Sequence, residues 1–449
     1  MIPCFQLHLE IEVPDESKGY FIIEQDLIEG DRLLAPPPNA GGGDGEIGIG
    51  GRAGCISGQD TFVLDESCLD STIDLLEGIG AEKPNFEWVD VLSASTELTI
   101  DRGIDTAQSV VGTPLAGILS ANILDPDLRA LETQKLAIGQ RCRVRAGDDI
   151  VFSGVVNALR SDYNAVDVPT LYLEAVDSLG LLNTQMVDKR PQENYKVRMK
   201  TAVEQIGLDN EIQDTDTILT PTDEAMSALD LLIETQDSEG SVCWIDRFGM
   251  FYSTNRFWKE GNQNFRNSRF GDAPAFQFTN NPKGEIGIQG QEICCSAYAQ
   301  TSDTRQVING ITFYNYTEED DTDRDGNPIK VIERKTHTYE SDNSRRLYGD
   351  AGLTLTTYLP ENTLPGYADY IFSQWDAPRT KVERIEFPAD KFKDTNIPDS
   401  VFIDIGDAVN VRIDDPLNDA HTLAQAQQRV ARIQHKITPT EWLVALDLL

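Results

Sequence analysis

The chain opens on strict alternation. Phe5, Leu7, Leu9, Ile11 and Val13 are separated by polar neighbours, the period-two pattern of a half-buried strand. With no basic start and no unbroken apolar stretch, this opening predicts a strand and not a signal peptide. The run from Pro36 to Gly45, Pro-Pro-Pro-Asn-Ala-Gly-Gly-Gly-Asp-Gly, continues neither a helix nor a central strand and marks an exposed loop. Residues 1–85 are therefore read as an N-terminal extension.

From Phe86 the alternation becomes dense. Leu98 and Ile100 alternate within Ser95-Thr-Glu-Leu-Thr-Ile-Asp-Arg-Gly103, and similar short runs follow at Gly139 to Arg145, Asp149 to Val156 and Thr170 to Asp177. Short strands punctuated by Gly and Asp predict a small β-barrel over 86–186. Between 187 and 284 the period changes. Two amphipathic helices are expected, Val197 to Ile206 and Asp223 to Glu234, the second capped from Thr220-Pro-Thr-Asp223, followed by a hairpin turning at Asp246 to Gly249. This middle region is α+β.

Strand patterns resume over 285–449, interrupted by a helix around Leu364 to Trp375. Two closing strands echo the first β-region. Gly406-Asp-Ala-Val-Asn-Val-Arg412 repeats Gly139-Gln-Arg-Cys-Arg-Val-Arg145, and Glu441 to Leu448 repeats Thr170 to Asp177. The stretch Leu423 to Ile433 carries helical propensity, yet Val430, Ile433, His435 and Ile437 before Thr438-Pro439 favour a strand in its second half. The fold class expected is a β-rich α+β protein, with two related small β-barrels, an inserted α+β region and the N-terminal extension.

These segments resemble the baseplate hub and minor tail proteins of long-tailed phages and related archaeal tailed viruses. The resemblance is carried by an ordered set: Trp88 to Val91 with Glu97 to Gly103; Gly117 to Asp127; Phe152 to Val156 with Leu171 to Gly180; and, near the end, Tyr348-Gly349, the helix through Trp375, Arg379 to Phe387, Gly406 to Arg412 and His435 to Trp442. It implies a tail-tip structural protein, without catalytic residues, in the virion. It further implies a homotrimer whose two barrels per chain make a ring around the DNA channel, between the tail tube or distal tail protein and the tip or fibre proteins, with the tape measure as a further partner.

Charge narrows the roles open to the chain. Its 449 residues hold 75 acidic and 38 basic side chains, a formal net charge of -37, which excludes broad gripping of phosphate backbones. A negative surface suits a channel through which DNA slides. Acid excess with few lysines also suits solubility in very high salt, and the two readings are compatible. No apolar run approaches the ~20 residues of a membrane-spanning helix. Seven cysteines without CxxC spacing indicate neither a disulfide framework nor zinc, and adjacent Cys294 and Cys295 should place one thiol in the core.

The remaining motifs are weaker. Asp321-Thr-Asp-Arg-Asp-Gly-Asn327 matches the start of a calcium loop, with Asp321, Asp323, Asp325 and Asn327 as candidate ligands. Its twelfth position is Ile332, with Glu333 one place late, so a solvated hairpin tip between Thr312 to Tyr316 and Ile329 to Glu333 competes with it. Gly48 to Ala53 formally matches a dinucleotide fingerprint but lacks the flanking strand and helix. The four histidines are scattered, and His435 reads as a strand residue. Trp244, Phe248, Phe251, Tyr252, Phe257 and Trp258 fit core packing, a carbohydrate platform or a subunit interface. A tail-associated hydrolase or glycan-binding adhesin is the alternative to the hub.

Overall fold

A computed structural model describes residues 7–14, 86–91, 95–105, 112–125, 136–162, 168–256, 276–280, 292–302, 306–322, 327–389, 399–415 and 418–449. The chain divides into two compact units: Met1–Ile11 with Asp90–Leu449, and Glu12–Val89. The second is described only at 12–14 and 86–89, and the Pro36 to Gly45 run and the Gly48 to Ala53 motif lie outside the described residues.

Strands dominate the described residues. The opening β-region supplies β1 (Leu7–Pro14), β2 (Phe86–Asp90), β3 (Ser95–Asp105), β4 (Thr113–Leu124), β5 (Arg141–Ala146), β6 (Asp149–Asp162) and β7 (Thr170–Val176). The middle region supplies β8 (Met186–Val187), β9 (Glu193–Asn194), β10 (Asn210–Ile212), β11 (Ile218–Leu219), β12 (Met226–Ser227), β13 (Cys243–Ile245), β14 (Phe251–Ser253) and β15 (Phe276–Thr279), with helices α1 (Tyr195–Glu204) and α2 (Ala228–Glu239). The last region adds β16 (Glu292–Cys294), β17 (Ala297–Ser302), β18 (Gly310–Thr322), β19 (Pro328–Glu340), α3 (Asp342–Tyr348), β20 (Gly352–Thr357), α4 (Leu364–Trp375), β21 (Thr380–Pro388), β22 (Ala408–Asp415), β23 (Asn418–Thr438) and β24 (Glu441–Leu448).

One five-strand wiring occurs twice. Strands β3-β4-β7-β6-β5 are hydrogen-bonded in that order, and so are β17-β21-β24-β23-β22, each following the same order along the chain and antiparallel throughout. The correspondence extends to single hydrogen bonds. Gly139 and Gly406 share φ 88. Each N–H donates to a strand carbonyl, Val156 O and Val430 O, both at 2.8 Å, and the N–H groups of Val156 and Val430 donate back to Gln140 O (2.8 Å) and Asp407 O (3.0 Å). The next strand then bulges at the same step, between Val156 and Ala158 in one copy and between Val430 and Arg432 in the other. Register aligns Glu174 with Asp447 and hence Thr170 with Leu443, two positions further on than the side-chain pattern of Glu441 to Leu448 suggests.

The two copies are joined edge to edge. The 21-residue β23 pairs with β22 through its first half; its second half takes β24 on one side and β3 on the other, from Leu98 opposite Ile437 to Gly103 opposite Arg432. Among the described residues no ladder closes a barrel, because β3 gives its second edge to the other copy. Pairing with β22 also explains why Leu423 to Arg429 is strand despite its Ala/Gln content: ladder hydrogen bonds override helix propensity. Gly103 makes the junction sterically feasible. It sits at φ 140, and a Cβ there would lie 2.4 Å from Ala431 O and 2.5 Å from Arg432 Cα.

A second core joins the segment between the repeats to the insertion between β17 and β21. Tyr195, Met199 and Val203 of α1, Leu231 and Leu232 of α2, Phe313 of β18, Tyr358, and Leu364, Tyr367 and Ile371 of α4 are buried together. Helix α2 starts at Ala228, later than the Asp223 start expected, because Ser227 caps it: Ser227 Oγ accepts from Asp230 N at 3.0 Å and donates to Asp230 Oδ2 at 2.7 Å. Helix α4 occupies the span read from sequence. Buried Arg198 stitches this core, donating to Glu193 Oε1 (3.1 Å), Pro191 O (2.9 Å) and Thr220 O (2.8 Å) while its guanidinium lies 5.2 Å from the Tyr358 ring centre.

Two substitutions separate steric fit from backbone strain. Gly103→Ala should cost about 3 kcal/mol by forcing β3 off β23, and Gly139→Ala, whose Cβ meets nothing within 4 Å, about 1 kcal/mol of left-handed strain. Urea unfolding midpoints of the two variants measure the difference.

Candidate functional site: a buried polar node at the repeat junction

Arg102 is an inward-facing charge on an otherwise apolar strand face. Leu98, Ile100 and Ile104 lie on that face, each 1% exposed, and Arg102 among them is 3% exposed. Its Nη1 donates to Asp404 Oδ1, which belongs to the turn leading into β22. Asp404 is held from three further sides: its own N–H donates to Asp407 Oδ2 (2.8 Å), and its carboxylate accepts from Ile405 N (2.8 Å) and Arg247 N (3.3 Å). Arg247, at the β13–β14 turn, donates Nη1 to Phe402 O at 2.5 Å, with its guanidinium 4.8 and 5.5 Å from the ring centres of Phe248 and Phe402. The node ties the first repeat, the second repeat and the middle hairpin together.

Carboxylates outnumber cations here, and burial sets their protonation. Asp177, which caps the helical turn Ser178–Leu181, accepts from Gly117 N (2.7 Å) and Leu179 N (2.9 Å). Desolvation pushes it up to about 7, against those hydrogen bonds and the pull of Arg102. Asp246 rises to about 6 through desolvation and the like charge of Asp404. His435 is driven down to about 3 by burial and by Arg102, so at neutral pH it is an uncharged acceptor for Trp442 Nε1–H at 3.3 Å. It is a strand residue of β23.

The sequence candidates are dispersed. Asp321 stands opposite Ile329 in the β18–β19 hairpin, Asn327 immediately precedes β19, and Asp323 and Asp325 lie outside the described residues. Among the described residues no group of three or more His, Cys, Asp or Glu is gathered as a metal site. Trp244, Phe251 and Tyr252 are buried, Trp244 stacking on Tyr252 at 5.7 Å, so these three form core; Phe248 is exposed, and Phe257 and Trp258 lie outside the described residues. Cys295 is buried and its thiol pushed up to about 12 by desolvation, and its neighbour Cys294 is half-buried. No helix among the described residues is long and apolar enough to cross a membrane.

Sequence reasoning missed the node. Its signal is a charge on the apolar phase of an alternating strand: Arg102 in step with Leu98 and Ile100, and His435 in step with Ile433 and Ile437.

A solved structure of a tail protein shares this fold. A tail protein from Neisseria meningitidis MC58 matches with TM-score 0.52 at 14% identity, over 81% of this chain and 93% of that one. The 43 kDa tail protein of prophage MuSo2 from Shewanella oneidensis matches at 0.49 and 12%, over 81% and 95%. The E. coli c3393 protein, a type VI secretion component described as structurally similar to T4 bacteriophage tail proteins gp27 and gp5, matches at 0.42 and 6%, over 79% and 73%. No family model and no curated protein matches the chain. At these identities the likeness is one of fold, and the first structure carries it: the fold is that of a tail protein, the class which the sequence resembles.

The raised carboxyls give stability a definite pH slope. Asp177 and Asp246 titrate above the roughly 3.9 of an unfolded aspartate. Between those limits the folded chain keeps protons that the unfolded chain has released, so stability falls as pH rises through about 4 to 7. Buried His435, neutral in the fold but protonated below about 6.5 when unfolded, acts in the opposite sense below that pH. The thermal midpoint should therefore rise between pH 8 and about pH 6.5, and Asp177→Asn should flatten that rise in scanning calorimetry.

Proposed function

We propose that the chain is a structural tail-tip hub subunit, without catalytic activity of its own, located at the tip of a virion tail. The two five-strand repeats are the two related barrel modules of such a subunit. Three chains build a ring around the DNA channel, joining the tail tube or distal tail protein to tip or fibre proteins, with the tape measure ending at this level. The observation that carries this reading is the repeated wiring with its edge-to-edge junction, since a subunit made of two like modules side by side is a segment of a ring. The acid excess supports a channel wall that repels DNA at close range.

Light scattering at low and at molar salt, with negative-stain images, tests the proposal. A particle of three chain masses with a central hole is the expected result, its population growing with salt as acidic surfaces are screened. A compact monomer in both salts would count against the hub and favour an accessory adhesin or hydrolase.

A further inference from the structure

The internal junction has an unused counterpart. Within the chain, β3, the first strand of one repeat, lies on β23, the fourth strand of the other. The corresponding strands are β17 and β6. Register makes Leu98 equivalent to Tyr298, because each faces the strand residue that in turn faces the equivalent pair Leu173 and Leu446. It also makes Arg432 equivalent to Ala158. Yet among the described residues β17 pairs only with β21, and β6 beyond Val156 pairs only with β7.

Exposure matches two vacant edges. Where the junction is filled, Leu98, Ile100, Ile433 and His435 are at most 1% exposed. Where it is not, Ala297, Tyr298, Ala299 and Gln300 are all exposed, so both faces of β17 meet solvent, and Asn157, Arg160, Ser161 and Asp162 of β6 are exposed as well. Tyr298, the counterpart of a buried leucine, is 39% exposed. A strand uncovered on both faces and along one edge is a template for pairing.

We infer that β17 of one copy adds to β6 of the next copy in the antiparallel register of the internal junction. Counted along β17 from Tyr298, past the register shift that β21 takes opposite Ala299 and Gln300, Gln300 then faces Ser161 of the next copy, as Ile100 faces His435, and Thr301 faces Arg160, as Asp101 faces Gln434. The contact is head-to-tail. Each copy offers a different edge at each end, and every module boundary, within or between chains, uses the same strand pairing. The occupant is a second copy of this chain because the chain already contains one example of the interface, and the two open strands are the repeat equivalents of its two sides. This inference rests on the hub reading and supplies its subunit contact.

Paired cysteines test it on the full chain. Gln300→Cys with Ser161→Cys, both at exposed positions, should give a ladder of cross-linked chains on a non-reducing gel under mild oxidation, and neither single substitution should. Gln300→Cys with Asn157→Cys, four residues out of register, should stay uncross-linked. Light scattering of the reduced double variant reports assembly separately. A trimer without the in-register ladder, or equal cross-linking of both pairs, would overturn this pairing and leave the hub standing. A ladder from open, non-closing polymers would uphold the pairing and overturn the ring. A monomer that never cross-links would overturn both.

Discussion

The architecture depends on one backbone contact, the antiparallel pairing of β3 with the second half of β23. It converts two separate five-strand sheets into one. Such a pairing needs close approach at its end and a satisfied charge beneath it. Gly103 gives the first, since any Cβ there would collide with Ala431 and Arg432. Arg102, the preceding residue, gives the second by reaching Asp404 under the sheet. Removing one partner of a buried ion pair leaves an uncompensated charge, so the Arg102–Asp404 contact and the strand pairing depend on each other.

The charge economy inside differs from that outside. A surface with so large an acid excess repels itself and is eased by salt. At the node, Arg102 and Arg247 stand among Asp177, Asp246, Asp404 and Asp407, and burial raises Asp177 to about 7 and Asp246 to about 6, so protons taken up there relieve the surplus as pH falls through that range. The interior is therefore sensitive to pH where the exterior is sensitive to ionic strength.

The repeats keep their wiring while the chain between equivalent strands varies. Only residues 106–112 separate β3 from β4, whereas the chain between β17 and β21 carries the β18–β19 hairpin, β20 and two helices. These insertions pack with α1 and α2 into a core of their own, leaving the five-strand wiring unchanged.

Local pattern by itself determined most of the long strands, the α4 helix, the β13–β14 turn and the existence of a repeat, because alternation and the glycines at 139 and 406 are local properties of the chain. Helix α2 was legible in type but not in start, since Ser227 and Thr220 are both acceptable caps and the choice falls to packing. Helical propensity misleads over Leu423 to Arg429, where the ladder with β22 decides. Only tertiary structure decided the register between repeats, the pairing of β3 with β23, and the node beneath it. Arg102 and Asp404 are 302 residues apart, and nothing local distinguishes a buried arginine with a distant carboxylate from one facing water. Charge on the apolar phase of a strand marks such a position, but the partner that stabilises it is fixed only when the sheet is assembled.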